Sequence, residues 1–557
     1  MSANAHLLWM LAEYLLLTGL PGVFAACVAM RRGLRQLPLL LAVALAASGA
    51  VAMLVFWAFY AAPEIGKTAA FFVAFGSALG IGWCYREGLD RELLRRLAFP
   101  LALWVLSSVF VVYLGFLHGG SGEAALTAQT RYAHQLPYDN VIPEHFADWF
   151  YVHGHDGTPT PIGDWLASDR PPLQIGYVLA ERPFGWGEPE LNYEVLAVVV
   201  QELWVIGLWA LLVAARIGRL ARALGLIAAA VSDVAILHGF FVWPKLIAAA
   251  MLLAALAIVL DQRWDAFRRD PRAAALFAAL CSLAMLAHGS SAFFIIPMLG
   301  LAALRGLPSV RWLGVAALVA VVLFVPWTAY QRWGDPPGDR LIKWQLGGSL
   351  EIDDRSSLET IVDGYSEEGL GGSLSNKWSN FTRMADFGEI ENGLREAGEA
   401  IEAGHLGSAV SALRLPRFYG VVPFLGLLLI GPIAMAVARA IRPRDGPEWR
   451  FAVVSIGFVL AACVVWGLLM FGNIISNTTL HVGSLAVPLL AASACVVGAH
   501  AVDRRLAIGL TAVNAAFVLV LYVPALNPPP GSSYSALAAV LAAASLAGFV
   551  FTALRAP

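Results

Sequence analysis

Long apolar segments recur along nearly the whole chain, and they limit the possible folds more than any other feature. Their lengths, roughly 17 to 25 residues, are those that an α-helix needs to cross a bilayer. Charged residues make up 14% of the 557 residues, compared with roughly 25% in an ordinary soluble domain. The pattern predicts an all-α polytopic membrane protein of about 15 transmembrane helices. The predicted helices span residues 7–30, 37–61, 66–84, 97–117, 192–215, 223–241, 243–260, 273–288, 291–304, 312–329, 417–438, 451–471, 482–500, 506–524 and 535–553.

The connections between these helices alternate in charge. Every second connection is rich in arginine, namely residues 31–36, 85–96, 216–222, 261–272, 305–311, 438–450 and 503–506. Basic connections stay on the cytoplasmic side, so the N-terminus should lie outside and the C-terminus inside. The two long polar segments, 118–191 and 330–416, then both lie on the outer face. Any chemistry is expected there.

Cysteine usage and net charge exclude some classes of function. The five cysteines lie in or beside apolar segments without CxxC spacing: Cys27, Cys84, Cys281, Cys463 and Cys495. We expect them to be small buried residues rather than disulfide partners or metal ligands. The net charge of −2 gives no indication of a nucleic-acid partner.

The first long polar segment carries an ordered set of charged residues and prolines. It contains "PYDNVIPEHFADWF" (137–150) and "DWLASDRPPLQIG" (164–176). Four features follow one another here: an acidic residue after a span, a short helix with alanine and aromatic positions, a G-D-W stretch, and Asp-Arg-Pro-Pro-Leu. Together they resemble the first outer loop of GT-C glycosyltransferases. The resemblance is narrower to the aminoarabinose transferase and protein O-mannosyltransferase-like branch. It covers residues 137–187 and is looser over the following helices.

The chain departs from the family pattern at three points. Asn140 stands where a second carboxylate is usual, and Arg170 stands where lysine is usual. Four predicted helices precede the loop where the family core has one. The resemblance thus implies an N-terminal extension of three helices (1–96) and a GT-C-like core (97–329) that includes loop 118–191. The second outer loop region (330–416) and C-terminal transmembrane helices (417–557) follow.

The resemblance also implies an activity. We expect a glycosyltransferase that moves a sugar from a polyprenyl phosphate donor to a glycan, lipid or cell-wall acceptor. The outer position of both long loops, with a composition rich in Ala, Leu, Arg and Gly that is typical of bacteria, predicts action on the periplasmic face of a bacterial plasma membrane. Asp139 is the expected base or stabiliser of the transition state, with Glu144 and Asp148 as rivals. Alternatively, Asp139 caps the helix that follows, and the other two carboxylates are solvated charges on one helix face.

Cations are needed to hold the lipid phosphate of such a donor. Arg170 is the first candidate, because its planar guanidinium suits phosphate. Lys245, at the edge of an apolar run, is the second, although it could instead reach the headgroups. Further substrate-binding candidates are Asn140, Asp169, His238, His288, Arg332 and Arg340.

A divalent metal ion is a further candidate partner. Asp169 and His288, or His153 with His155, are of the ligand types that suit zinc or manganese. His288 could equally be a hydrogen-bonded packing residue. No strict ligand spacing favours a metal, so the cofactor stays open.

Polar residues also occur inside the predicted spans. Asp233, Glu194, Gln201, Glu202 and Glu13 are costly in lipid. They are expected to face the bundle interior and to mark a cavity or a proton path.

Two other functions fit a chain with many spans. An O-antigen polymerase or ligase-like enzyme would also have large outer loops with basic residues. A transporter or flippase for lipid-linked glycans would have inverted repeats and broken helices near the membrane midplane. The sequence shows no clear repeat, and the Asp139 to Leu173 pattern favours the glycosyltransferase.

Overall fold

A computed structural model describes residues 3–132, 136–414, 421–441, 445–472, 482–525 and 533–556. These residues form α-helices joined by short turns, and they contain no β-strand. Ten of their helices are long and apolar enough to cross a membrane, or eleven if one bent pair counts as a single span. The expectation of an all-α polytopic membrane protein is therefore confirmed.

Four long helices begin the bundle, and the second is the most enclosed of these four. Their bounds are Ala3–Arg31 (α1), Leu37–Ala61 (α2), Pro63–Arg86 (α3) and Arg91–Gly115 (α4). α2 packs against α1 and α3, whereas α3 exposes Phe72, Phe75 and Leu79 on its outward side. Exposed apolar side chains on a span are the surface that lipid covers.

The middle of the chain forms the centre of the bundle. Its helices are Pro189–Gln201 (α8), Trp204–Ala214 (α9), Arg219–Ala230 (α10), Asp233–Phe241 (α11), Lys245–Leu260 (α12), Trp264–Phe267 (α13), Pro271–Ala287 (α14), Ala292–Leu304 (α15) and Val310–Ala329 (α16). α12 is buried from Lys245 to Val259. It approaches α9 so closely that a Cβ atom on Gly207 would lie 2.3 Å from the carbonyl oxygen of Ala250. Small residues permit such approaches between spans.

One predicted span is broken. Residues 223–241 were expected to form a single helix, but α10 and α11 meet at an angle of 50°. Asn514 donates a hydrogen bond through Nδ2 to the carbonyl oxygen of Val231, at 3.1 Å. Ser232 caps α11 by accepting a hydrogen bond from the backbone N–H of Ala235. Partners on another helix and in the break itself thus satisfy backbone groups that the break leaves free.

The C-terminal helices close one side of the bundle. They are Val421–Leu425 (which precedes a short 3-10 turn), Ile430–Ile441, Pro447–Leu469, Ala486–Val502, Arg504–Tyr522 and Ala536–Arg555. Helices 245–260, 271–287, 289–304 and 426–441 are apolar but have fewer than 18 residues. The number of about 15 spans stays a prediction.

The two long polar regions lie together at one end of the bundle, which we call the loop end. The first contains helices Ala124–Thr130 (α5), Ile142–His153 (α6) and Leu173–Glu181 (α7). The second is largely helical: Arg340–Gly347 (α17), Ser357–Ala385 (α18), Phe387–Glu402 (α19) and Leu406–Arg414 (α20). The regions are joined by hydrogen bonds from the N–H of Ser168 to Asp335 (2.8 Å) and from Gln331 to the carbonyl oxygen of Ser168 (2.9 Å).

Arg131 joins two spans at the same end. Its buried guanidinium donates hydrogen bonds of 2.9 to 3.2 Å to five backbone carbonyl oxygens, those of Leu114, Gly115, Tyr522, Val523 and Pro524. The first two belong to the end of α4, Tyr522 ends helix Arg504–Tyr522, and Val523 and Pro524 directly follow that helix. Helix ends leave carbonyl groups without intrahelical partners, and one side chain here satisfies those of two helices.

Candidate functional site

A cavity of about 310 Å³ lies at the loop end, and we call it the site cavity. It is bounded by the first polar region, the turn between α11 and α12, the end of α14, and α17. Three tryptophans form much of its wall: Trp165, Trp243 and Trp344. Four of the predicted site residues line it: Asp139, Asp169, Arg170 and His288. The cavity therefore combines carboxylates, a guanidinium and an imidazole with aromatic walls.

Asp139 and Arg170 meet in this cavity. The Asp139 Oδ1 atom lies 3.3 Å from Arg170 Nη2, and the two side chains are 17% and 14% exposed. Asp139 stands in a 3-10 turn, Tyr138–Asn140, and Arg170 has the extended backbone expected before proline. Asp139 and Arg170, which the family resemblance singled out 31 positions apart in sequence, thus form an ion pair in the structure.

The Arg170 guanidinium has hydrogen-bonding capacity left over. It lies over the Trp165 ring at 4.0 Å from the ring centroid. Its Nε atom is buried without a hydrogen-bond partner among the described residues, and its buried Nη2 atom has only the 3.3 Å ion pair with Asp139. Burial lowers the pKa of Arg170, and the charges of Asp139 and Asp169 oppose that shift. A ligand oxygen, such as that of a phosphate, would satisfy these donors.

Asp139 does not cap the helix that follows it. The N-cap position of α6 is occupied by Val141, and that position makes no side-chain cap hydrogen bond. The neighbouring Asn140 is fully buried, where it accepts a hydrogen bond from Gln129 Nε2 (2.9 Å) and donates one to the carbonyl oxygen of Ala125 (3.3 Å). Asn140 therefore anchors the turn and does not line the cavity, which leaves Asp139 to face it.

Asp169 and Arg340 connect the cavity wall to the second polar region. Asp169 Oδ2 accepts a hydrogen bond from the N–H of Leu166 (3.0 Å) and lies 3.5 Å from Arg340 Nη1. Burial raises the pKa of Asp169, while these partners act in the opposite direction. Arg340 also bonds to Asp164 and to the carbonyl oxygen of Leu350. Arg340 thus braces the two regions and does not line the site cavity.

Glu144 and Asp148 lie away from the site cavity. They share one face of α6, as predicted, and Asp148 forms an ion pair with Arg182. Burial, and then the negative charge of Asp148, raise the pKa of Glu144 to about 7. Burial also raises the pKa of Asp148. Because neither residue is among those lining the cavity, the structure does not bring the two rival carboxylates to Asp139.

His288 lines the cavity at the end of α14. Its Nδ1 atom accepts a hydrogen bond from the backbone N–H of Ser290 at 3.2 Å. A backbone N–H can only donate, so a neutral ring carries its proton on Nε2. The ring stands at 89° to that of Trp243, with 6.3 Å between centroids. His288 is therefore both a packing residue and part of the wall.

Lys245 and His238 lie beside the cavity rather than in its wall. Lys245 is fully buried at the first residue of α12, and its Nζ lies 3.6 Å from the centroid of the Trp243 ring. Its charge interacts with those of Asp139 and Arg170. His238 is buried close enough to be affected by the Lys245 charge. Arg332 is exposed and does not line the cavity.

The metal candidates are only partly brought together. Asp169 and His288 share the cavity. His153 instead stacks on Trp149, and His155 bonds to the carbonyl oxygen of Ala61. In the described parts of the chain, no three His, Cys, Asp or Glu side chains are grouped so that they could hold a metal ion.

The polar residues predicted to face the bundle interior are mostly enclosed. Glu194, Gln201, Glu202 and Asp233 are at most 1% exposed. Glu202 accepts hydrogen bonds from Ser107 (2.5 Å) and from Trp204 (3.1 Å). Glu13 is only half-buried.

The three tryptophans and Gln345 were not predicted as site residues, although Trp165 belongs to the G-D-W stretch of the loop pattern. Each tryptophan is close in sequence to a predicted or charged residue, in "GDW", "VWPK" and "IKWQ". An aromatic residue beside a charge in an outer segment is the signal that was available, because such rings bind sugars and stack on guanidinium groups. No family model, curated protein or solved structure matches the chain.

Proposed function

We propose that this chain is a membrane glycosyltransferase of the GT-C type. It transfers a sugar from a polyprenyl phosphate donor to an acceptor hydroxyl at the loop end. One observation carries the proposal: Asp139 and Arg170 form a shielded ion pair in a cavity, where the guanidinium Nε has no hydrogen-bond partner among the described residues and Nη2 has only that ion pair. The resemblance of residues 137–187 to the first outer loop of that family supports the same conclusion.

The two side chains have complementary roles in the transfer. The acceptor oxygen forms a bond to the anomeric carbon of the sugar while the bond from that carbon to the phosphate oxygen breaks. The hydroxyl proton passes to Asp139, and the phosphate leaves with its extra negative charge beside Arg170. A phosphate that draws the guanidinium away from Asp139 frees the carboxylate to accept the proton.

The size and lining of the site cavity support a single sugar as the transferred group. Its volume of about 310 Å³ is near the lower end of small-molecule sites, which run from about 300 to 1,000 Å³. Trp165, Trp243 and Trp344 offer apolar ring faces to the sugar. The charge pattern of the connections supports an outer, periplasmic location for this end of the bundle.

The proposal is tested by sugar transfer in membranes that contain equal amounts of each variant. Radiolabelled polyprenyl phosphate sugars are the donors, and endogenous lipids and glycans are the acceptors. Asp139→Asn removes the proton acceptor and should lower kcat by about 100-fold or more. Arg170→Ala should raise KM for the donor and lower kcat, and Arg170→Lys should restore part of the loss, because it keeps the charge without the planar fork.

Two exposed residues provide matched controls. Asp156→Asn and Arg332→Ala make the same chemical changes outside the site cavity and should transfer like the wild type. If Asp139→Asn keeps full activity, Asp139 is not the base. If the wild type transfers none of a broad panel of sugars, the glycosyltransferase proposal fails.

A transporter of lipid-linked glycans is the second candidate, because the structure contains a broken span. Asp233 is buried at the first residue of α11, directly after the break. Broken helices with buried polar groups occur at the binding sites of transporters. The test follows a fluorescent polyprenyl-linked sugar between the leaflets of liposomes that contain the protein. Movement that is unchanged in Asp139→Asn but lost in Asp233→Asn would favour the transporter.

A further inference from the structure

A chain of hydrogen bonds connects two sides of the site through residues that do not line the cavity. Tyr193 donates through Oη to the carbonyl oxygen of Asn140 at 2.5 Å. Gln174 Nε2 donates to Tyr193 Oη at 2.9 Å, and Gln201 Nε2 donates to Gln174 Oε1 at 3.0 Å. All four residues are at most 2% exposed. The first end of this chain is thus the residue that follows Asp139.

The other end of this chain of hydrogen bonds is the start of α12. Gln201 Oε1 accepts hydrogen bonds from the backbone N–H groups of Leu246 (3.0 Å) and Ile247 (3.1 Å). These groups belong to the first helical turn, whose N–H groups have no partner within the helix. The N-cap position holds Pro244, which makes no side-chain cap hydrogen bond. A glutamine from α8 therefore caps the helix whose first residue is Lys245.

A branch of the same chain holds a strained turn. Gln174 Nε2 also donates to the carbonyl oxygen of Val242 at 3.0 Å. Val242 has φ 52° and ψ 26°, in the left-handed region that a β-branched residue rarely adopts. Such a conformation is strained and persists only where its surroundings hold it. Val242 leads directly into Trp243 of the cavity wall and into Lys245.

The direction of every bond in the chain is fixed. The N–H groups of Leu246 and Ile247 can only donate, so the Gln201 oxygen must accept and its amide nitrogen must donate. Gln174 is then forced to accept through its oxygen and to donate through its nitrogen to Val242 and Tyr193. Replacing either glutamine leaves buried partners unsatisfied along the chain.

We propose that Gln174, Gln201 and Tyr193 are positioning residues that hold Asp139 and the Trp243 to Lys245 turn at a fixed separation. Neither glutamine touches the reacting groups. The kinetic consequence rests on the proposed function, in which the base and the cations must be aligned on one substrate. Misplacement of such groups by about 1 Å costs about 100-fold in rate.

Gln174→Met and Gln201→Met test the inference, because methionine keeps the length and shape of the side chain without its amide. Each should lower kcat by about 100-fold and change KM for the donor little, since Arg170 is intact. The double variant should be no slower than the slower single variant, because both act through one chain. A multiplied loss in the double variant would overturn the inference.

A second readout does not depend on sugar transfer. Acetylation of the buried Lys245 amine by acetic anhydride is measured by peptide mass spectrometry, with Lys67 as the internal reference. Both methionine variants should speed acetylation of Lys245 several-fold, since α12 loses its cap or its turn loses its support. Tyr193→Phe should lower kcat without changing Lys245, because its bonds lie on the Asp139 side. Thr511→Val removes a buried hydroxyl from a distant span and should change neither readout.

The outcomes separate the two proposals. Suppose that the wild type transfers no sugar but Lys245 is acetylated faster in both methionine variants. The structural role of the hydrogen-bond chain would then stand, and the proposed function would fail. Unchanged acetylation and unchanged kcat in variants that elute as one folded species would overturn the positioning role. If the Gln201→Met protein does not fold, Gln201→Glu decides. A carboxylate still caps α12 but cannot donate to Gln174, so kcat should fall while Lys245 stays protected.

Discussion

Removing the Arg131 side chain should destabilise the whole bundle. Of its five carbonyl partners, those of Leu114, Gly115 and Tyr522 accept buried hydrogen bonds. A buried acceptor left without a partner costs about 1 to 3 kcal/mol. We take the lower value for each of the three carbonyl groups, because the substitution also removes the cost of burying the guanidinium. Arg131→Met should therefore lower the free energy of unfolding by about 3 kcal/mol.

The assay is thermal unfolding in detergent, followed by loss of the folded peak on size-exclusion chromatography. A cost of 1 kcal/mol lowers the Tm of a domain of 150 to 250 residues by about 2 to 4 °C, and of a larger chain by less. We therefore expect the Tm of Arg131→Met to fall by about 5 °C. Arg131→Lys should fall less, because its ammonium group keeps the charge but is too compact to reach the ends of both helices.

The exposed Arg332 provides the control for this prediction. Arg332→Met removes the same charge and a side chain of the same length from the surface, and it should melt within about 1 °C of the wild type. If Arg131→Met also melts with the wild type, the carbonyl groups have other partners. The Arg131 hydrogen bonds would then contribute nothing to stability.

Two further predictions follow from packing and from pH. Gly207→Ala should lower the Tm, because the added Cβ would lie 2.3 Å from the carbonyl oxygen of Ala250. The control Gly314→Ala should leave the Tm unchanged, because its Cβ would have nothing within 4 Å. Equal effects of the two substitutions would contradict the packing argument. The folded state raises the pKa of Glu144 from 4.5 to about 7. As the pH rises between these values, Glu144 loses its proton more readily in the unfolded chain than in the folded protein, so the folded protein becomes less stable. Glu144→Gln should therefore raise the Tm at pH 8 but not at pH 4, and an equal change at both would refute this assignment.

The span boundaries were predictable where the sequence itself contains the signal. α2 runs from Leu37 to Ala61, as predicted, because its apolar run is bounded by polar Gln36 and by Pro63 at the start of α3. The break between α10 and α11 was missed because residues 223–241 are almost continuously apolar. Its partner, Asn514, is 283 positions from Val231 in sequence, and hydropathy contains no information about such contacts.

The candidate site was predictable in its motif but not in its surroundings. The Asp139 and Arg170 positions follow from the ordered loop pattern, and the structure brings them together. The pattern could not distinguish a residue in the wall from one behind it. Lys245 was expected to bind phosphate but lies behind Trp243, and Arg340 is a brace rather than a part of the wall. Such differences depend on how distant segments pack.

The wall that α17 contributes, through Leu341, Trp344 and Gln345, makes the site a late product of synthesis. Chains emerge N-terminus first, so a nascent protein inserted only through α16 possesses the Asp139 and Arg170 pair without the segment that encloses it. Enclosure awaits the docking of Arg340 onto Asp164 and Asp169. Until that moment the Asp139 and Arg170 pair lacks the wall that Leu341, Trp344 and Gln345 provide.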